Sequence, residues 1–313
     1  MIHFDASAPV LWVFGGLLLL LAVASAITLL LRRLRPEKDY TELTQRVNSW
    51  WIMIGIFAFA LVTSVNVAIG FFAFLSFLAL KEYLSLIPTR RADRRVLFWC
   101  YLAIPLQFWW VHERWYHMFI VWVPVWMFLA TSVRMVMIGE TKDFLRAVGT
   151  LQWGMLTMVF SVSHLAYLLV LPESKGTFGA GPGLVLYVVM LTQLNDVAQY
   201  VWGKTFGKHK VVPLVSPKKT VEGLIGGILT TAALAVFAAP WLTPLTRVDA
   251  FAVGLIIGLG GFLGDITISA VKRDLGVKDT GALIPGHGGI LDRVDSLTFT
   301  APLFFHFMKF FYY

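Results

Sequence analysis

The densest group of side chains that could do chemistry closes an apolar segment near the C-terminal end of the chain. It consists of an acid, a hydroxyl and two cations at positions i, i+4, i+7 and i+8, namely Asp265, Ser269, Lys272 and Arg273. This spacing places all four on one face of a helix. An ionisable residue inside an apolar helix is costly and usually faces a polar cavity or a partner. The alternative is a structural ion pair between Asp265 and Lys272 or Arg273.

The loop after this helix adds acids, bases and glycines. Its candidate residues are Lys278, Asp279, His287, Asp292, Arg293 and Asp295. Glycines let backbone N–H groups approach phosphates, and basic side chains neutralise phosphate charge. Mg²⁺ prefers carboxylate oxygens and usually retains water and substrate phosphate. The pool of metal-ligand candidates is therefore Asp265, Asp279, Asp292 and Asp295.

Two ordered motif blocks, which together span about 100 residues, carry a family resemblance. The later block reads Ser269, Lys272-Arg273, Lys278-Asp279, Pro285-Gly286-His287-Gly288-Gly289 and Asp292-Arg293-Val294-Asp295. The earlier block reads Asn195-Asp196, Tyr200, Gly203-Lys204, Phe206-Gly207-Lys208 and Ser216-Pro217-Lys218-Lys219-Thr220-Val221-Glu222-Gly223. Together they resemble the signature of the CDP-diglyceride synthetase, or phosphatidate cytidylyltransferase, family. The match departs from the common pattern at Val197, Ala198, Gln199 and Ile268, which indicates a divergent or paralogous branch.

The resemblance implies a reaction and a set of roles. A phosphate oxygen of phosphatidic acid would attack the α-phosphorus of CTP, giving CDP-diacylglycerol and pyrophosphate with the help of one or two Mg²⁺ ions. Asp265 and Asp292 are the first candidates for metal ligands, followed by Asp279 and Asp295. Lys272, Arg273 and Lys278 would screen phosphate charge, and His287 would contact pyrophosphate or fix the loop. CTP contacts are expected from Asp196, Lys204, Ser216, Lys218, Lys219 and Thr220.

Two other functions stay open. One is the same chemistry on a different lipid phosphate, because the departures bear on the lipid acceptor more than on the reaction. The other is a lipid-binding or transport paralogue that keeps the fold without turnover, since transporters also use charges inside the membrane.

The composition identifies the elements that must hold these residues as membrane helices. Hydrophobic residues make up 58% of the chain, charged residues 14%, and mean hydropathy is +0.74. The pattern predicts an all-α polytopic membrane protein with about ten full or partial spans. They are 9–31, 49–65, 67–87, 96–111, 117–138, 150–171, 183–202, 221–242, 250–271 and 297–313, the fourth and last being short. We expect N-terminal membrane helices over 1–180 and a catalytic region over 181–313, with a polar cavity open to the cytosol.

The basic residues predict the orientation. Of the 26 Lys and Arg residues, 22 lie in the segments 32–46, 81–95, 134–149, 203–220 and 272–293. The positive-inside rule puts these segments in the cytosol and the N-terminus outside. Membrane topology thus accounts for most of the net charge of +8, which argues against nucleic-acid binding. We expect a protein of the inner membrane of a bacterium that binds CTP, phosphatidic acid and membrane lipids, and that could form a homodimer.

Overall fold

A computed structural model describes residues 7–90, 93–172 and 181–313. Its regular secondary structure is helical throughout these ranges, apart from two isolated β-bridges, Lys210 to Thr220 and Ile284 to Gly288. The prediction of an all-α protein is confirmed. Each of the ten predicted segments falls on helical structure.

The helices follow one another with short connections. The N-terminal part has α1 (Ala8–Leu34), α2 (Thr41–Thr63), α3 (Val65–Leu86), α4 (Arg94–His112), α5 (Tyr116–Val121), α6 (Phe128–Val136), α7 (Phe144–Gly154) and α8 (Val162–Leu168). Short π-helical segments, Trp122–Met127 and Met155–Ser161, join α5 to α6 and α7 to α8. The C-terminal part has α9 (Pro182–Phe206), α10 (Val221–Leu242), α11 (Arg247–Asp274), α12 (Leu291–Val294) and α13 (Leu297–Phe311).

Within the described ranges, seven helical segments are long and apolar enough to cross a membrane. They are α1, α2, α3, the continuous segment Tyr116–Val136, α9, α10 and α11. The chain is therefore an integral membrane protein. The fourth, sixth and tenth predicted spans do not meet this criterion. The sixth was predicted as a full span, but its buried polar residues Gln152, Ser163 and His164 reduce its apolar character. The tenth ends as a helix of 15 residues, shorter than a bilayer requires.

Hydroxyl residues begin two of the helices that carry or adjoin the motifs, α10 and α11. The Thr220 hydroxyl accepts a hydrogen bond from the Gly223 N–H at the start of α10, and Thr246 does the same for Asp249 at the start of α11. Such N-caps satisfy an amide that the helix itself leaves unpaired. These caps therefore define the residue at which each helix begins.

The helices α9, α10 and α11 pack against one another and, with α13, surround the motif residues. The contact between α9 and α10 is close because glycines lie in it. A Cβ on Gly223 would stand 2.7 Å from the Gln199 carbonyl oxygen, and one on Gly227 would stand 2.3 Å from the Gln199 side chain. Small residues allow this approach between helices in a membrane. The approach brings the earlier motif block, on α9 and the start of α10, against α11.

Candidate active site

A cavity of about 780 Å³ collects most of the predicted site residues. Its lining includes Asp196, Lys204, Ser216, Lys218, Lys219, Thr220, Asp265, Lys272, Asp279, His287, Asp292, Arg293 and Asp295. The two motif blocks, which lie on different helices and loops, therefore meet at one place. The cavity volume is in the range of small-molecule and cofactor sites.

Three predicted residues lie outside this lining. The Ser269 hydroxyl donates to Asp265 Oδ1 at 3.2 Å, so it supports a residue that does line the cavity. The Arg273 guanidinium donates to the backbone carbonyls of Val215 and Val277, at 3.2 and 3.4 Å, and so ties two loops together. Lys278 is exposed. The structure thus brings Ser269 to the site indirectly and gives Arg273 a loop contact instead of a place in the cavity.

Asp265 pairs with a lysine from the other motif block. Lys219 Nζ lies 2.6 Å from Asp265 Oδ2 and 3.1 Å from Gln199 Oε1. The sequence suggested Lys272 or Arg273 as the alternative ion-pair partner of Asp265, but the structure pairs Asp265 with Lys219. Burial alone would lower the pKa of Lys219, but the charges of Asp265 and Asp196 outweigh it and hold that pKa above its usual value. Lys219 is therefore a cation at neutral pH.

Two more carboxylates stand near this pair. The Ser296 hydroxyl donates to Asp196, at 3.0 and 3.3 Å from its two carboxylate oxygens, and the Ser296 N–H donates to Asp295 Oδ1 at 2.7 Å. Burial raises the pKa of Asp295, and the negative charges of Asp265 and Asp196 raise it further. Three acids thus share one region of the cavity, where Lys219 is paired with Asp265. This arrangement favours a further cation.

The donor chemistry fits Mg²⁺ held jointly with substrate. Within the described part of the chain, no group of three or more His, Cys, Asp or Glu residues is arranged to hold a metal on its own. Mg²⁺ needs no such cage, because it usually binds one or two carboxylates together with water and substrate phosphates. Asp196, Asp265 and Asp295 have the required oxygens and an excess of negative charge. These three residues could hold such an ion.

Asp292 has a different environment from these three acids. Lys272 Nζ donates to its Oδ1 at 2.8 Å, while Oδ2 accepts from the Thr280 N–H at 2.9 Å, the Thr280 hydroxyl at 3.0 Å and the Gly289 N–H at 3.1 Å. Burial would raise the pKa of Asp292, but these donors and the charge of Lys272 lower it. With its oxygens occupied by protein donors, Asp292 fits a role in holding the loop better than the metal-ligand role expected for it.

Cations that face the cavity with fewer protein contacts come from the segment 204–219. Lys204, Lys210 and Lys218 are exposed and line the cavity. Lys204 lies in the last turn of α9, and the loop that carries Lys210 and Lys218 is held by Glu222, whose carboxylate accepts from the Lys208 N–H at 3.0 Å and from the His209 N–H at 3.2 Å. The backbone is fixed, so the lysine side chains project from a defined loop.

Three buried nitrogen atoms of cavity-lining residues have no protein partner. They are Gln199 Nε2, His287 Nδ1 and Arg293 Nε. Burial lowers the pKa of His287, and the charge of Arg293 lowers it further. Buried polar atoms are normally hydrogen-bonded. His287 and Arg293, from the later motif block, are therefore candidates to bind a ligand.

The N-terminal helices also supply residues that the sequence reading missed. Glu82 of α3 accepts from the backbone N–H groups of Ile290 and Leu291, both at 2.9 Å. Trp50 of α2 lines the cavity and packs edge-on against His287, with 5.8 Å between ring centroids. The signal for Glu82 was weak, because it is an acid next to Lys81 near the end of an apolar segment. No comparable signal pointed to Trp50, since tryptophans are common in membrane helices.

Comparison with known proteins places these motifs in a family. The model of the cytidylyltransferase family matches residues 44–311. The uncharacterized protein YnbB of Escherichia coli (strain K12) is 43% identical over 291 residues, 93% of this chain and 95% of that protein. A phosphatidate cytidylyltransferase of Staphylococcus aureus (strain COL) is 43% identical over 134 residues, 41% of this chain and 49% of that enzyme. One from Synechocystis sp. is 47% identical over 116 residues, 36% of this chain and 39% of that enzyme. The chain therefore matches less than half of each named enzyme.

Proposed function

The chain belongs to the cytidylyltransferase family, and we propose that it makes CDP-diacylglycerol and pyrophosphate from phosphatidic acid and CTP. The observation that carries this proposal is the meeting of both motif blocks in one cavity of a membrane protein, lined by acids and by exposed lysines. The relatives named phosphatidate cytidylyltransferase support the lipid and the nucleotide. Substrate and metal dependence are part of the proposal.

The reaction needs alignment more than a protein nucleophile. A phosphate oxygen of the lipid attacks the α-phosphorus of CTP, the bond to the bridging oxygen breaks, and pyrophosphate leaves. The lipid phosphate is already an anionic nucleophile, so the protein must hold two polyanions in line and stabilise the charge that develops. Bound Mg²⁺ would supply positive charge that offsets part of the developing negative charge. Asp265, Asp196 and Asp295 are the residues that would hold it.

The two substrates would occupy different sides of the cavity. Lys204, Lys210 and Lys218 would bind the triphosphate of CTP, because they are exposed cations at the end of α9 and on the fixed loop that follows it. Arg293 and His287 have unpaired buried nitrogens that would bind the lipid phosphate. This division assigns the nucleotide to the earlier motif block and the lipid to the later one.

The place of the reaction follows from the solubility of the substrates. CTP is a cytosolic polyanion, and a lipid headgroup lies at the membrane interface. We propose that the protein resides in the inner membrane of a bacterium with the cavity facing the cytosol, as the distribution of Lys and Arg predicts. A homodimer remains a prediction.

A second candidate is the same transfer to a different lipid phosphate. It is favoured by Gln199, which stands where the family commonly has a different residue and which contacts the site cation Lys219. A lipid-binding or transport paralogue without turnover is the third candidate. Neither changes the expected nucleotide side of the cavity.

One assay separates these functions. Purified protein is incubated with labelled CTP, Mg²⁺ and a panel of lipid phosphates, and the nucleotide-lipid product is identified by its mass. Phosphatidic acid should give CDP-diacylglycerol, and omission of Mg²⁺ should stop the reaction. Product only with another lipid phosphate would support the second candidate. A folded protein that makes no product with any lipid would overturn the proposed enzyme.

A further inference from the structure

Glu82 connects the N-terminal helices to the loop that carries the later motif block. It lies near the end of α3, and its carboxylate reaches a loop about 200 residues further along the chain. Its Oε1 accepts from the Ile290 N–H at 2.9 Å, and its Oε2 accepts from the Leu291 N–H at 2.9 Å. The Thr280 hydroxyl lies 3.3 Å from Oε2. Hydrogen bonds to a charged group are among the stronger ones in proteins.

Two glycines beside the Glu82 carboxylate leave little room for any side chain at their positions. A Cβ on Gly289 would stand 2.4 Å from Glu82 Oε2, and one on Gly281 would stand 3.2 Å from Oε1. Glycine at position 289 is thus required for the carboxylate to come this close. Two sides of the loop, at 280–281 and at 289–291, close around the same side chain.

The contacts of Glu82 lead directly to residues of the cavity. Leu291 precedes Asp292, and the Thr280 hydroxyl lies 3.0 Å from Asp292 Oδ2. Asp292 in turn holds Lys272 at 2.8 Å. A shift of the loop at Glu82 would therefore move Asp292 and Lys272 together.

We propose that Glu82 is a positioning residue for the reaction, which fixes the loop 280–291 so that Lys272 and the acids of the cavity are correctly placed. The inference rests on the proposed function for its kinetic part. It also gives α3, which carries none of the motif residues, a defined part in the site. Glu82 acts through Asp292 and touches no substrate.

The test compares Glu82→Gln with Glu82→Asp and with Lys81→Gln. Lys81 is the preceding residue on the same helix and is exposed, which makes it a matched control. A misplacement of about 1 Å can cost about 100-fold in rate. We expect kcat to fall by about 100-fold in Glu82→Gln, with the KM for CTP changed by less than about threefold, because the nucleotide side of the cavity is held by Glu222 instead. Glu82→Asp should recover part of the rate, since it keeps the charge.

A second measurement does not depend on activity. Hydrogen exchange of the peptide containing Ile290 and Leu291 should become at least about tenfold faster in Glu82→Gln, as expected when hydrogen bonds to a charged acceptor are lost. Exchange of Lys208 and His209, which Glu222 holds, should stay unchanged. Lys81→Gln should alter neither peptide.

The outcomes are distinct. If the unchanged protein makes no product with any lipid, the proposed function fails while the exchange measurement still tests the position of the loop. If folded Glu82→Gln shows normal exchange at 290–291 and normal kcat, the positioning role is overturned. If Glu82→Gln does not fold, Glu82→Asp takes its place in both measurements. If neither variant folds while Lys81→Gln does, Glu82 is a folding residue and the proposal is overturned.

Discussion

The segments 204–220 and 272–296 line the same cavity, but they use their charges differently. The first holds its loop backbone with one acid, Glu222, and leaves Lys204, Lys210 and Lys218 exposed. The second contains a nearly buried ion pair between Lys272 and Asp292. Under the proposed function, the first segment would bind the nucleotide, whereas the second would combine a fixed loop with the unpaired nitrogens of His287 and Arg293.

In each region, a glutamate on a neighbouring helix accepts hydrogen bonds from backbone amides. Glu222 belongs to a motif and lies 14 residues or fewer from the amides it binds. Glu82 belongs to no motif and lies more than 200 residues from its two amides. Similar chemistry thus appears once as a local contact and once as a contact between the two halves of the chain. The family match over 44–311 likewise extends across both halves.

The largest expected effect is at Asp265, one of the three neighbouring acids of the cavity. Asp265→Asn keeps the size and removes the charge. We expect kcat to fall by at least about 100-fold, comparable to the loss of a principal stabiliser of transition-state charge. Asp249→Asn is the matched control, because Asp249 lies at the opposite end of α11 and contacts Thr246 and Tyr312. Its kcat should stay normal. Full activity in Asp265→Asn would remove this residue from the catalytic group.

Asp292 should respond in stability before it responds in chemistry. Breaking a buried ion pair by removing one partner costs about 3–5 kcal/mol, because the other charge is left unpaired. The pair of Asp292 and Lys272 is nearly buried, with side-chain exposures of 6% and 12%. We expect Asp292→Asn to lower the Tm of detergent-purified protein more than Asp265→Asn does, and to speed hydrogen exchange over 280–291. An unchanged Tm together with a large loss of Mg²⁺-dependent turnover would instead restore the metal-ligand role.

A smaller effect separates the two adjacent lysines of the first region. Lys219 is paired with Asp265 inside the site, while Lys218 is exposed. We expect Lys218→Gln to raise the KM for CTP by about threefold at unchanged kcat, since an exposed charge contributes modestly to binding. Lys219→Gln should lower kcat as well. If both variants had the same kinetics as the unchanged protein, these lysines would serve membrane topology alone.

The sequence predicted the features that depend on local pattern. Apolar segments gave the helices, and motif spacing gave Asp265 with Ser269 on one face, which the 3.2 Å contact between them confirms. Pairing between elements was out of reach, because Lys219 meets Asp265 only where the start of α10 packs beside α11. The role of Gln199 was missed for the same reason. It looked like a departure from the family pattern, and the structure shows it bound to Lys219.

Glu82 shows a second limit of the sequence. Its partners are backbone amides, which every residue has, so no side-chain pattern points to them. An isolated acid beside Lys81 in a basic segment was consistent with membrane topology alone. The sixth predicted span is less apolar than a full span because it carries Gln152, Ser163 and His164, and contacts such as the hydrogen bond from Gln152 Nε2 to the Val123 carbonyl hold these polar residues inside the protein. Such contacts between distant segments cannot be predicted from local pattern.

The last prediction concerns orientation and should leave activity nearly unchanged. If both regions face the cytosol, single cysteines at Lys208 and Lys278 should resist a membrane-impermeant thiol reagent in intact cells and react after the cells are opened. Both side chains are exposed, whereas Thr280 is buried and would be a poor reporter. Cys100, the one native cysteine, is replaced in the background. A cysteine at Arg247, in a segment predicted to lie outside, is the positive control. Labelling of 208 and 278 from outside would reverse the orientation and separate both regions from cytosolic CTP.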